Sequence, residues 1–102
     1  MATIFATATG ADAVVTLPAP QNPAHRLVLG PLVCSYTGNV TTGRLRIMSG
    51  ATQVVDIDVG TEVSRVLPAG LPGEVGQPME VRLYSGGANV VGKVNLIRSW
   101  QE

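Results

Sequence analysis

The sequence is poor in the residue types that carry most protein chemistry. Its 102 residues include one cysteine, one histidine and one tryptophan, and only 14% are charged, against about a quarter in an average domain. A single cysteine excludes an internal disulfide and a thiolate metal site built from one chain. Seven basic and seven acidic residues cancel, so we expect no nucleic-acid partner.

Long apolar runs and targeting signals are also lacking. The longest apolar stretch, Leu27 to Cys34, is split by Gly30-Pro31 and falls well short of the eighteen or so residues that span a bilayer. The N-terminal segment has neither the basic region nor the apolar core of a secretory signal. The sequence therefore predicts a protein that is made in a cytoplasm and has no membrane partner.

Candidate catalytic and ligand-binding residues are few. A serine–histidine–carboxylate arrangement would need His25, and no serine lies in a strand-to-helix elbow. Asp56 and Asp58 are spaced like two metal ligands, but no third acidic residue follows at the spacing of a calcium loop. Cys34 lies among apolar residues, which predicts a buried small side chain. We predict no enzymatic activity, no cofactor and no metal site.

What the chain does contain favours β-structure throughout. Fifteen valines and nine threonines favour strands, and twelve glycines and seven prolines are scattered along the chain. Alternation with a period of two recurs in about eight segments, separated by two proline-rich crossings at 18–24 and 68–78. The pattern predicts a single domain over 1–102, an all-β antiparallel β-sandwich of about eight strands and of jelly-roll or Greek-key type. A small closed barrel is the alternative.

Two segments, 43–48 and 53–59, predict a hairpin with a defined register. Apolar and charged residues alternate in both, so pairing like faces across a Gly50-Ala51-Thr52 loop satisfies both patterns at once. The predicted pairs are Ile47 with Val55, Leu45 with Ile57, Arg46 with Asp56 and Arg44 with Asp58. The charged face is expected to be solvated, with a binding or catalytic carboxylate pair as the alternative.

A second hairpin is predicted from 79–83 and 90–96. Met79, Val81 and Leu83 would face inward against the apolar residues of the second segment, across a turn at Gly86-Gly87. This pairing places Gly92 opposite Val81, which indicates a bulge or a close backbone approach.

The order of these segments resembles a group of small proteins of tailed bacteriophages. The likeness covers about 25–98 and is carried by His25-Arg-Leu-Val-Leu, Ser35-Tyr36, Thr42-Gly-Arg-Leu-Arg-Ile, Val54-Val-Asp-Ile-Asp-Val, Met79-Glu-Val-Arg-Leu-Tyr-Ser-Gly-Gly-Ala and Val91-Gly-Lys-Val-Asn-Leu. The chain is most similar to jelly-roll capsid decoration (cement) proteins. That resemblance implies a virion location on the capsid surface, the major capsid protein as partner, a homodimer or homotrimer, and no catalytic residues.

The partner-contact residues predicted from the chain lie near its two ends. Ile4, Phe5 and Trp100 are the candidates, because buried aromatic and apolar anchors dominate many interfaces. Residues 1–8 form either an edge strand of the domain or an arm that reaches a neighbour. Two other functions stay open: a tail- or fibre-associated sandwich that contacts a host receptor or glycan, and a free ligand-binding β-barrel.

Overall fold

The computed structural model describes residues 4–37, 40, 43–59, 65–67 and 70–102, and this part of the chain is built from strands alone. The strands are β1 (Ile4–Thr9), β2 (Ala13–Leu17), β3 (Leu27–Leu29), β4 (Leu32–Thr37), β5 (Arg44–Ser49), β6 (Thr52–Asp58), β7 (Arg65–Leu67), β8 (Leu71–Pro72), β9 (Met79–Leu83), β10 (Val91–Leu96) and β11 (Ser99–Gln101).

The strands form three antiparallel sheets. Sheet A has the order β1-β10-β4-β7, sheet B the order β2-β9-β5-β6, and the small sheet C the order β11-β3-β8. Sheets A and B both contribute buried apolar side chains to one core. This arrangement is the predicted all-β antiparallel sandwich, and the separate sheets exclude the closed barrel.

Sheet C continues sheet A beyond an interruption at Gly30 and Pro31. The Gly30 N–H donates to the carbonyl oxygen of Arg98 at 2.6 Å, and the Ile97 N–H donates to the carbonyl oxygen of Pro31 at 2.9 Å. A Cβ on Gly30 would lie 2.6 Å from the Arg98 oxygen, so only glycine allows this close approach. One long strand is therefore bent at Gly30-Pro31, the same two residues that split the apolar stretch from Leu27 to Cys34.

The strand order defines a jelly roll. If β3 is counted together with β4, β7 with β8 and β10 with β11, the described part of the chain contains eight strand units. The first of these pairs with the eighth, the second with the seventh, the third with the sixth and the fourth with the fifth. The pairs are thus nested as in one long antiparallel hairpin that is folded over into two facing sheets, which is the jelly-roll arrangement.

The first predicted hairpin is confirmed residue by residue. Strands β5 and β6 pair with Leu45 opposite Ile57 and Arg46 opposite Asp56, as the alternation requires. The turn is shorter than predicted, because Ser49 pairs with Thr52 and leaves only Gly50-Ala51 between the strands. A register shift between Ile47 and Met48 absorbs the difference.

The second predicted hairpin is wrong. β9 pairs with β2 and β5 in sheet B, whereas β10 pairs with β1 and β4 in sheet A. The buried residues of the two strands do face each other, but across the core and not along a ladder. Gly92 is accordingly packed under side chains, since a Cβ there would lie 3.1 Å from Leu83 Cδ2 and 3.4 Å from Tyr36 Cε1.

The core follows the period-two alternation of the strands. Alternate residues of β2, β4, β5, β9 and β10 are buried, and Cys34 is fully buried among them as predicted. Both proline-rich segments lead from one sheet to another, 18–24 from β2 to β3 and the segment before β9 from β8. The crossing predicted at 18–24 is confirmed. The crossing predicted at 68–78 begins only after Pro72, because Leu71–Pro72 forms β8, and residues 68–69 lie outside the described part of the chain.

Candidate functional site

The outer face of sheet A is almost free of charge. The registers of β1, β10 and β4 place nine side chains on it in three rows: Phe5, Asn95 and Val33; Thr7, Lys93 and Ser35; Thr9, Val91 and Thr37. Lys93 is the single charged residue among these nine. A face of threonine, serine and valine costs less to cover than a charged face, provided that its hydroxyl groups find hydrogen-bond partners in the interface.

Phe5 projects from this face at its edge. Its side chain is 71% exposed, more than any other large apolar side chain in the described part of the chain. The next residue, Ala6, packs against the core, so alternation along β1 directs Phe5 away from the core. An aromatic ring held this far into solvent by a regular strand is available to a partner.

Trp100 lies at the far end of the same long sheet, and its side chain already has partners within the chain. On β11 it lies directly across from Val28, which is buried. The guanidinium carbon of Arg98 lies 4.8 Å from the centre of the Trp100 ring. Its Nε1 donates to Glu102 Oε2 at 3.1 Å. Half-buried and partnered, Trp100 covers the end of the sheet and offers a partner less free surface than Phe5.

Ile4, the third predicted contact residue, contributes its backbone to β1 opposite Leu96. Its side chain lies outside the described part of the structure. Of the two alternatives for residues 1–8, the described residues of this segment form the edge strand of sheet A.

The outer face of sheet B is charged, in contrast to that of sheet A. Arg44 forms two hydrogen bonds of 2.6 Å to Asp56, diagonally across the hairpin and not to the opposite residue Asp58. This pairing lowers the pKa of the Asp56 carboxyl and raises that of Arg44. Arg44 and Asp56 have 43% and 28% side-chain exposure, so most of their attraction is screened by water.

Three arginine side chains on this face lie around Tyr84. The guanidinium carbons of Arg44 and Arg82 lie 5.1 Å and 6.0 Å from the centre of its ring. Arg46 reaches the Tyr84 hydroxyl at 3.4 Å, and its Nε is buried with no hydrogen-bond partner in the described part of the chain. The face is therefore less fully solvated than the sequence predicts, and its charges are mostly satisfied within the chain.

Tyr36 ties the two sheets together from inside the sandwich. It lies on β4 in sheet A, and its hydroxyl donates to the carbonyl oxygen of Tyr84 at 2.5 Å. The same hydroxyl accepts the N–H of Arg44 at 3.3 Å. Burial raises the pKa of this phenol above its ordinary value. The sequence offers no signal for this link, because Tyr36 looks there like one more alternating core residue.

Asp12 fixes the entry to β2. One carboxylate oxygen accepts from Arg82 at 2.8 Å and the other accepts the N–H of Ser85 at 2.8 Å. The Arg82 hydrogen bond, followed by that of Ser85, lowers the pKa of Asp12 below its ordinary value. The bond from Ser85 also holds the crossing that leads from β9 to β10.

The free energy of unfolding should therefore fall in acid as the Asp12 carboxylate becomes protonated. Because the folded-state pKa is lowered, the ionised carboxylate stabilises the fold above a pH of about 4 and that contribution is lost as the pH falls through the folded-state pKa. Asp12→Asn should remove this part of the pH dependence, measured by thermal unfolding between about pH 2 and pH 7. Asp58→Asn is the control, since Asp58 forms no ion pair within the described residues. Equal curves for Asp12→Asn and the parent would contradict the assignment.

Groups with chemical reactivity are dispersed. His25 is exposed in the crossing before β3, where its ring lies 3.4 Å from the Asn22 amide nitrogen. No cluster of three or more metal-ligating side chains is found among the described residues. The same residues include no helix long and apolar enough to cross a membrane.

A shallow groove opens on the outer side of sheet B. Its volume is about 230 Å³, and it lies where the crossing before β9 passes the β5–β6 turn. The lining residues are Thr16, Met48, Gly50, Pro78, Met79 and Glu80. Glu80 is already bonded to Arg82 Nε at 2.9 Å, so the groove presents no unused charged group.

Comparison with known proteins gives no family for the chain. No family model and no curated protein matches the chain. One similar solved structure is "Carbohydrate-Binding Module CBM36 in complex with calcium and xylotriose", with 13% identity over 94% of this chain and 78% of that chain and a TM-score of 0.47. Another is "Structure of infectious bursal disease virus Gt strain", with 14% identity over 97% of this chain and 39% of that chain and a TM-score of 0.28.

The strand order and sheets define the class of the protein as a jelly-roll β-sandwich. Both likenesses are too distant to transfer a function.

Proposed function

We propose that the chain is a non-enzymatic structural protein of a virion, a capsid decoration protein that braces the shell at the junctions between capsomers. The observation that carries the proposal is Phe5, 71% exposed on the nearly uncharged outer face of sheet A. The partner is the major capsid protein, the site of action is the capsid surface, and synthesis takes place in the host cytoplasm. The protein acts as a homo-oligomer.

The outer face of sheet A is suited to adhesion because it carries little charge. Over β1, β10 and β4, eight of nine side chains are uncharged, so covering them desolvates a single charge, and their hydroxyl and amide groups can be satisfied by hydrogen bonds to the partner. Burying the Phe5 ring contributes about 2 kcal/mol. Low charge around an exposed aromatic anchor is a feature that this surface shares with the cores of protein interfaces.

The same face is rigid before it binds. Strands β1, β10 and β4 pair along six-residue ladders, and the opposite side of each is packed into the core. A preformed surface loses little conformational entropy on docking. This property suits a protein that attaches in many copies to a regular shell, and it needs no catalytic group.

The test is size-exclusion chromatography with light scattering, on the protein alone and with empty capsids of the major shell protein encoded in the same genome. We expect co-elution with capsids that saturates at a fixed number of copies per capsomer. A protein that never co-elutes with these capsids overturns the proposal. In that case, binding to a glycan array or to tail particles would support the receptor-binding alternative. Binding to neither would favour a free ligand-binding domain.

A further inference from the structure

The edges of the two main sheets are protected to different degrees. β6 carries Asp56 and Asp58 and pairs with β5 through a register shift, and charges and bulges both discourage edge pairing. β2 is bounded by Asp12 and Pro18. β1, with the sequence Ile-Phe-Ala-Thr-Ala-Thr, has six residues, no charge, no proline and a regular register.

The free edge of β1 presents the backbone of three particular residues. The Gly10 N–H donates to the Val90 carbonyl oxygen at 3.0 Å, which makes these two a hydrogen-bonded pair just beyond the last ladder pair. Hydrogen-bonded and non-hydrogen-bonded pairs alternate along an antiparallel ladder. Ala6 and Ala8 therefore bond to β10, and the N–H and C=O groups of Phe5, Thr7 and Thr9 point away from the sheet.

From this edge we infer that a second copy of the chain pairs with the first through β1, antiparallel and across a two-fold axis at Thr7. Thr7 then pairs with Thr7 of the partner subunit, and Phe5 pairs with Thr9 of the partner subunit. Each pair exchanges two backbone hydrogen bonds. The inference deepens the proposed function, on which it rests for the role of the dimer on the shell.

A second copy is the occupant that the charge pattern of the sheet edges favours. Pairing β1 with itself brings no charge against a like charge, because β1 carries none. Pairing β6 with itself in the same way about Ile57 would set Asp56 opposite Asp58 of the partner subunit, which is repulsive. An unprotected edge is also self-complementary by geometry, since antiparallel strands related by a two-fold axis present the same groups to each other.

The dimer would join two copies of sheet A into one continuous eight-stranded sheet. Both Phe5 rings lie on its outer face, because β1 keeps its orientation in each copy. Since Phe5 pairs with Thr9 of the partner subunit, the two rings are four residues apart along the strands, about 14 Å. The dimer therefore presents two aromatic anchors on one face, which suits attachment at a two-fold position of a shell.

The inference is tested on the isolated protein by light scattering over a range of concentrations. We expect the mass to rise from one chain to two. Thr7→Pro removes an N–H that only the second copy uses, so it should raise the dissociation constant of the dimer at least tenfold and leave the fold intact. Ala8→Pro is the matched control, because it removes an N–H of the ladder with β10 and should lower the unfolding temperature instead.

A cysteine at the two-fold axis provides a second test, which does not require strand β1 to tolerate a proline. Paired residues of this kind have Cα atoms about 5.5 Å apart, within disulfide range. Thr7→Cys should oxidise to a covalent dimer, whereas Thr16→Cys on β2 should dimerise without forming a covalent cross-link. A protein that is monomeric at every concentration, a trimer, or a dimer unaffected by Thr7→Pro and not cross-linked through Thr7→Cys overturns the inference. Capsid co-elution is scored separately and reports on the proposed function alone.

Discussion

Replacing Gly43 with alanine is expected to lower the free energy of unfolding by about 3 kcal/mol, at the upper end of what overpacking costs. Gly43 begins the β5–β6 ladder, where its carbonyl oxygen accepts the N–H of Val59 at 3.2 Å. An added Cβ would collide with the Val59 carbonyl oxygen and lie 2.9 Å from Tyr36 Cε2. Relief requires moving either the strand or the ring that links the two sheets.

Gly92→Ala is the matched control for that substitution. A Cβ at Gly92 meets the tips of side chains, 3.1 Å from Leu83 Cδ2 and 3.4 Å from Tyr36 Cε1. Side-chain ends can shift by a few tenths of an ångström, whereas a backbone oxygen in a ladder cannot. Chemical denaturation should therefore rank Gly43→Ala well below Gly92→Ala in stability. The reverse order would show that the packing around Tyr36 is misassigned.

Phe5→Ala is expected to weaken attachment to capsids by at least tenfold and to leave the unfolding temperature nearly unchanged. The stability is unaffected because the ring is 71% exposed and makes little contact with the core. The affinity falls because truncation of an aromatic anchor typically costs about 2 kcal/mol or more at an interface, and each factor of ten is about 1.4 kcal/mol.

The matched control for Phe5 is Val75→Ala. Val75 is also a large exposed apolar residue, at 45% exposure, but it lies in the crossing before β9 and not on sheet A. Co-sedimentation with capsids should be unchanged for this variant. Equal loss of binding by both variants, or none by Phe5→Ala, would place the contact elsewhere on the molecule.

The sequence predicts the class of the fold and one register correctly because two independent patterns agree there. In the β5–β6 hairpin, apolar residues and opposite charges both alternate, so a slip by one residue would spoil both sets of pairs. The turn is misjudged by one residue, since a register shift beside Met48 leaves no trace in the alternation. The bend at Gly30-Pro31 is predictable because it rests on residue types that cannot continue a ladder.

The β9–β10 hairpin fails for a reason that is general to sandwiches. Alternation shows which residues of 79–83 and 90–96 face inward, but it does not show whether the two segments lie side by side or face each other across the core. The intervening chain settles the question, because Ser85 bonds to Asp12 and Gly87 and Asn89 adopt positive φ angles of 133° and 64°. The segment thereby turns from one sheet to the other.

The candidate site is predictable in part. Phe5 stands out because aromatic residues are rare in this chain and it lies in a strand near one end. The neutrality of the face around it depends on bringing β1, β10 and β4 together, which only the strand order provides. Asp12 and Tyr36 gain their roles from partners more than forty residues away, and no local pattern in the sequence reports such contacts.

Amide hydrogen exchange, measured with and without saturating capsids, tests whether the protein binds capsids through the outer face of sheet A. Segment 4–9 should gain protection on binding, because covering the outer face of sheet A suppresses local opening of β1, in addition to any protection that pairing of β1 with a second copy already gives the free protein. Segment 52–58, at the edge of sheet B, should exchange at the same rate in both states. Unchanged exchange in 4–9, with protection appearing in 52–58 instead, would contradict the claim that this protein binds through sheet A.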